Sequence, residues 1–182
     1  VADSIRSMIV APEGMEVVAA DFSSIEARGV AWLAGQDDKL ERFAKGEDLY
    51  CHFAQAIFGR QITKVADPKE RDVGKVGDLA GGYGGGVAAF AKMAKLNGID
   101  LEAIATAIWE SCDVESFEKA ERAYTKRQNG HGLSRQAWMA CEILKLTWRA
   151  QNPKTVQLWR DLEAPAVEAV AMPRKLTSLP NG

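Results

Sequence analysis

Two stretches of this sequence pair residue types with a spacing that could do chemistry. The first is the octet Asp21-Phe22-Ser23-Ser24-Ile25-Glu26-Ala27-Arg28, which follows the apolar run Met15–Ala20. A carboxylate at the end of a buried strand, just before a helix, can offer oxygen to a hard cation such as Mg²⁺. The same residues also have a purely structural account. Ser23-x-x-Glu26 is the spacing of a capping box, and Asp21 can be a turn residue. Spacing alone favours that account. The second stretch is Arg71-x3-Lys75-x3-Leu79-x3-Tyr83-Gly84. On a helix these residues drift slowly along one side, with Arg71 and Lys75 one turn apart at the edge of an apolar face formed by Val73, Val76, Leu79, Ala80 and Tyr83. Two cations so placed can grip phosphate oxygens. Alone, this pattern is equally that of an amphipathic helix with solvated cations.

Other phosphate-binding motifs do not fit. A P-loop needs glycine where Lys69 stands and Ser or Thr where Val76 follows Lys75. Gly84-x-Gly86-x-x-Ala89 follows a helix rather than a strand, unlike a dinucleotide fingerprint. His52 beside Cys51, with no second pair, makes a poor zinc site.

The elements that must carry these residues are mostly helical. The pattern predicts a strand over Met15–Ala20 after a Pro12–Glu13–Gly14 turn, then helices over Ser24–Ala34, Asp38–Lys45 and Asp48–Phe58, each closed by a glycine. Asp67–Pro68 is a helix start, with a cap residue followed by proline at the first helical position, and that helix runs to about Gly81. Further helices are expected at Val87–Leu96, Leu101–Ser111, Val114–Arg127, Arg135–Gln151 and Lys154–Ala171. Lys175–Leu179 reads as a strand entering a Pro180–Asn181–Gly182 turn. Both ends read as cuts in a longer protein. The five tryptophans, Trp32, Trp109, Trp138, Trp148 and Trp159, fall within predicted helices and are expected to fill the core.

Composition sets outer bounds. The chain has 182 residues, 47% of them hydrophobic and 26% charged, which reads as globular. No apolar run approaches the ~20 residues of a membrane span, so no membrane partner is expected. The odd, dispersed set Cys51, Cys112 and Cys141 argues against a disulfide framework and fits a reducing compartment. Net charge is −2, yet Lys119–Arg160 holds nine basic residues against two acidic ones. That excess can neutralise phosphates or can simply decorate solvated helix faces.

The residue order goes further than the spacing. Asp21–Arg28 resembles motif A, and Arg71–Gly84 resembles motif B, of family A DNA polymerases. Lys45–Tyr50, Asn152–Trp159 and Leu179–Gly182 resemble flanking segments of the same family. The resemblance implies an α+β fold, predominantly α-helical: part of a palm, with its short strand ending at Asp21, plus a helical fingers subdomain. Residues 1–60 would be the palm portion, 61–172 the fingers, and 173–182 the start of a return to the palm. By the same resemblance, Asp21 and the Phe22 carbonyl would be metal ligands in a two-Mg²⁺ site. Arg71 and Lys75 would be catalytic and would bind the phosphates of the incoming deoxynucleotide, Lys75 protonating the pyrophosphate. Glu26 would exclude a ribose 2′-hydroxyl. Tyr83 would stack near the template base and hydrogen-bond Glu26, Leu79 would wall the sugar, and Tyr50 would stand where a phosphate-contacting His is usual.

The implied function is a segment of a DNA-directed DNA polymerase, acting with primer–template DNA, deoxynucleotides and the remainder of its chain in the cytoplasm of a bacterium or phage-infected host. The second catalytic carboxylate is not in the sequence, so the segment alone is expected to be inactive. The rival is a non-catalytic helical nucleic-acid-binding or interaction module derived from a polymerase. Four glycines of the second motif helix, Gly74, Gly77, Gly81 and Gly82, either loosen it for motion or permit close packing. Gly29, inside the first helix, signals either a weak helix or a closely packed one.

Overall fold

The computed structural model describes residues 8–127, 129–174 and 176–178. Among these, nine α-helices carry the fold: α1 Ile25–Ala34, α2 Asp37–Ala44, α3 Leu49–Phe58, α4 Pro68–Gly82, α5 Val87–Leu96, α6 Leu101–Ser111, α7 Val114–Lys126, α8 Arg135–Gln151 and α9 Pro153–Ala171. Most boundaries match the sequence pattern, because the punctuation acts locally. Gly35 and Gly59 end α1 and α3 in the left-handed conformation, at φ 66° and 61°. The carboxylates of Asp48, Asp100 and Asp113 accept the free N–H groups at the starts of α3, α6 and α7. None of the described helices is long and apolar enough to cross a membrane.

The expected α+β fold with a palm strand is not what forms. Among the described residues there is no strand, and the fold is entirely α-helical. The Pro12–Gly14 turn is present, with Met15 N–H donating to the Pro12 carbonyl and Gly14 at φ 78°. Beyond it, Met15–Ala20 stays outside the core, with Val18 80% exposed. A strand exists only as part of a ladder. No described segment lies alongside this one to complete a ladder, so its β-branched residues gain nothing from pairing. The strand expected at Lys175–Leu179 and the turn after it lie partly outside the described residues, and 176–178 form no strand.

The core is built around α4. Val73, Val76 and Ala80 of α4 pack with Phe53 and Ile57 of α3, Phe90 of α5, Ile108 of α6, and Met139, Ile143 and Trp148 of α8. Glycine lets the helices come this close. A Cβ on Gly74 would lie 2.1 Å from the Tyr50 carbonyl oxygen, one on Gly77 2.1 Å from the Phe53 ring, and one on Gly81 2.4 Å from the Trp148 indole. The glycines of α4 therefore serve packing at these three positions, whereas Gly82 faces open space. Gly29 in α1 also faces open space, so it marks an intrinsically weak helix rather than a tight contact. Of the tryptophans, Trp138 and Trp148 are buried, while Trp109 and Trp159 pack half-buried at the core's edge. Trp32, expected inside, is 71% exposed.

Candidate nucleic-acid interface

Helix α4 is held in place by two polar clasps that the sequence reading did not single out. At its N-terminal end, Arg71 Nε donates to Asp48 Oδ2 at 2.7 Å, and the guanidinium lies 5.1 Å from the centre of the Tyr50 ring. Burial pushes the Asp48 carboxyl up. The Arg71 hydrogen bond and charge, with the N–H groups of Cys51 and Tyr50, outweigh that and hold it below the usual carboxylate range. Burial opposes the Arg71 charge, and Asp48 more than restores it. Asp48 thus caps α3 through one oxygen and anchors α4 through the other.

The second clasp is buried. Asp78, on the core side of α4, accepts from Lys39 Nζ of α2 at 2.7 Å and from the Trp148 indole N–H of α8 at 3.0 Å. Lys39 also lies 5.4 Å from the Trp148 ring centre, and Trp148 stacks on Trp159 of α9 at 5.5 Å. Gln36, just after α1, accepts the Lys154 backbone N–H at the start of α9. A charge as buried as Asp78 is tolerable only with such partners. The sequence did carry a signal for it: Asp78 lies four residues after Gly74 and three before Gly81, on the side of α4 that those glycines bring close to its neighbours.

Between α1 and α4 these contacts leave a small groove, with about 70 Å³ open to water. Four residues singled out from sequence meet there: Glu26 from α1, Tyr50 from α3, Leu79 from α4 and Tyr83 just after it. Tyr83 is 69% exposed at its edge. No hydrogen bond joins Tyr83 to Glu26 among the described residues. Ser24 and Tyr50 also line an adjoining cleft, whose wall includes Ser23, Arg28, Asp48 and Arg71. Lys75 is half-buried on α4 and forms no ion pair among the described residues.

Asp21 and Phe22 stand apart from this arrangement. Both are exposed, Phe22 by 80%, and neither lines the groove or the cleft. The capping box at Ser23 and Glu26 does not form. Ser24 is the N-cap instead, in the left-handed conformation at φ 54°, and no side chain closes the helix end. Among the described residues, no three His, Cys, Asp or Glu side chains gather to hold a metal ion. The expected phosphoryl-transfer centre, with Mg²⁺ on Asp21 and a deoxynucleotide beneath α4, is therefore corrected: neither its strand nor a metal-holding cluster is assembled among the described residues.

The basic stretch Lys119–Arg160 is largely spoken for. Lys119 pairs with Glu115, Arg122 with Glu118, Arg135 with Glu121 and Lys145 with Glu142. Arg127 lies over the Tyr124 ring. The three cysteines are free, and burial pushes the Cys141 thiol up to about 12.

Fold and site together define an α-helical protein whose central helix flanks an aromatic-edged groove with cations. By sequence, residues 1–129 match the model of DNA polymerase family A, and the chain belongs to that family. It is 31% identical over 179 residues to the DNA polymerase of Bacillus phage SP02, covering 98% of this chain and 22% of that protein. It is 38% identical over 80 residues to the thermostable DNA polymerase I of Thermus filiformis, covering 44% of this chain and 10% of that one. Against DNA polymerase I of Chloroflexus aurantiacus the identity is 38% over 71 residues, 39% of this chain and 7% of the other. The chain thus spans about a fifth or less of the length of these relatives. No solved structure matches it.

Proposed function

We propose that this chain is a non-catalytic helical nucleic-acid-binding module of polymerase descent, gripping phosphates with the cations of α4 and resting bases or sugars against the α1–α4 groove. The observation that carries the proposal is the arrangement on α4. Lys75 lacks a carboxylate partner, and Arg71 shares its charge with a single carboxylate. Arg71, Lys75 and Leu79 stand one turn apart along α4, and Leu79 lines a groove with Tyr50 and Tyr83, which supply ring and apolar surface. Cations that track a backbone, beside π-faces that accept any base, are the ingredients of sequence-tolerant binding to single strands. Membership of a DNA polymerase family supports the same reading.

The test is fluorescence anisotropy of a labelled dT15 oligonucleotide titrated with the chain in about 50 mM KCl, with Mg²⁺ or with EDTA. Binding is expected in both buffers, and Lys75→Gln should weaken it and flatten its salt dependence by about 0.7 in log–log slope. Affinity weaker than about 100 µM, or a Lys75→Gln variant indistinguishable from wild type, would overturn the proposal. Template-directed primer extension by the chain would overturn its non-catalytic character.

A further inference from the structure

Residues 15–20 lie outside the core, and among the described residues no hydrogen bond reaches the backbone of residues 16–22. Val17 and Val18 are adjacent and both exposed, so neither side of this segment is polar there. Proteins guard a free strand edge with lysine, proline or a covering element. Here the one proline is Pro12, before the turn, and residues 8–22 hold no lysine, arginine or histidine. An unguarded segment of this kind is a template for pairing.

The helix that follows repeats the signal. α1 turns Ala27, Val30 and Ala31 to the groove it shares with α4. Its opposite face is apolar too. Ile25 and Trp32, seven residues apart, form one stripe with Leu33 beside it, and all three are exposed. A surface helix ordinarily turns polar residues to solvent on that side. Phe22, exposed as well, joins the stripe to the segment before it.

Charge narrows the occupant. Residues 8–22 carry three carboxylates, Glu13, Glu16 and Asp21, all exposed and without an ion pair among the described residues. The nearest described cation along the chain, Arg28, is turned to the Ser23 carbonyl and the Phe43 ring. A nucleic acid is repelled here, and a second copy brings the same carboxylates against these. The complement of an apolar, acidic, unpaired segment is a basic one.

We infer that residues 15–22 and the outer face of α1 dock a separate polypeptide, through an extended segment that alternates lysine or arginine with apolar residues. Its backbone adds to residues 15–20 as a strand, a basic side chain stands opposite Glu16, and its apolar side chains rest on Phe22 and the α1 stripe. The inference is independent of the nucleic-acid reading, since none of these residues lines the α1–α4 groove or the cleft that holds Arg71.

The experiment titrates the chain into a short labelled peptide that alternates lysine with valine, read by anisotropy, beside the same peptide with its central valine replaced by proline. Hydrogen exchange followed by NMR, with and without saturating peptide, locates the contact. The variants are Glu16→Lys, Val18→Pro and Trp32→Ser. All three side chains are exposed, so the fold is expected to survive, and circular dichroism checks it. The valine peptide should bind about tenfold more tightly than its proline counterpart, which lacks a ladder donor. Alternate amides within residues 15–20 should exchange about tenfold more slowly or less, as one added strand on one edge requires. Glu16→Lys should weaken binding by about threefold or more, and Val18→Pro by about tenfold. Trp32→Ser should weaken it as well. Absence of binding, equal binding of the two peptides, or a Glu16→Lys variant that binds as wild type would overturn the inference. So would protection confined to other amides. A free chain that sediments as a dimer with amides 15–20 already protected would make a second copy the occupant and overturn it too.

Discussion

Replacing Gly74 with alanine puts the packing of α4 to a direct test. The added Cβ would stand 2.1 Å from the Tyr50 carbonyl oxygen, 3.0 Å from its carbon and 3.1 Å from the Ala54 Cβ, where ordinary contact begins near 3.4 Å. The obstacle is backbone, so no rotamer change relieves it, and α3 and α4 must separate by roughly an ångström. Overpacking of this kind costs about 1–3 kcal/mol, occasionally more. Alanine returns about 1 kcal/mol of helix propensity. The net expectation is a loss of about 1 kcal/mol, or a fall in Tm of about 2–4 °C for a chain of this size. Urea unfolding followed by circular dichroism measures it. Gly29→Ala is the matched control, because its Cβ would meet nothing within 4 Å. It should stabilise by up to about 1 kcal/mol. If Gly74→Ala stabilised the chain as Gly29→Ala does, close approach of α3 and α4 would be wrong as the reason for glycine there.

Asp78→Ala should destabilise by about 3 kcal/mol, because it leaves the Lys39 ammonium and the Trp148 N–H buried without their acceptor. Lys39→Met/Asp78→Leu should recover much of that loss in the same urea assay; if it recovers none, the penalty is not one of unpaired polar groups. Acid should loosen the α3–α4 clasp. A carboxyl held below its usual value stabilises the fold fully above its unfolded value, near 4, and that contribution is lost as pH falls through the folded one. Stability measured from pH 6 downward should therefore drop more steeply in wild type than in Asp48→Asn, and parallel curves would rule out Asp48 as the source.

Local signals made most of the helices legible. Pro68 at a first turn and Gly35 and Gly59 as stops act within a few residues, and the observed boundaries follow them; Asp48, Asp100 and Asp113 emerge as caps only in the structure. Met15–Ala20 was misread because a strand depends on a neighbour that no local pattern can supply. The Ser23–Glu26 box failed for a related reason: the chain enters α1 through a left-handed Ser24, which makes Ser24 the cap and takes Ser23 out of range. The resemblance singled out Glu26, Tyr50, Leu79 and Tyr83, and the fold lines one groove with all four; spacing alone gave only the shared apolar face of Leu79 and Tyr83. What spacing could not show is who answers the charges. Asp48 is 23 residues from Arg71, and Trp148 is 70 from Asp78, distances that only the packed fold closes.

The glycines at 74, 77 and 81 form notches on α4, and the Phe53 and Trp148 rings sit in two of them beside the core side chains Val73, Val76 and Ala80. Shape therefore fixes the lengthwise register of α4 along its middle. At its N-terminal end the hold is a polar catch, Arg71 on Asp48. That catch can be released by whatever competes for it, and an anion drawn to Arg71 competes with Asp48.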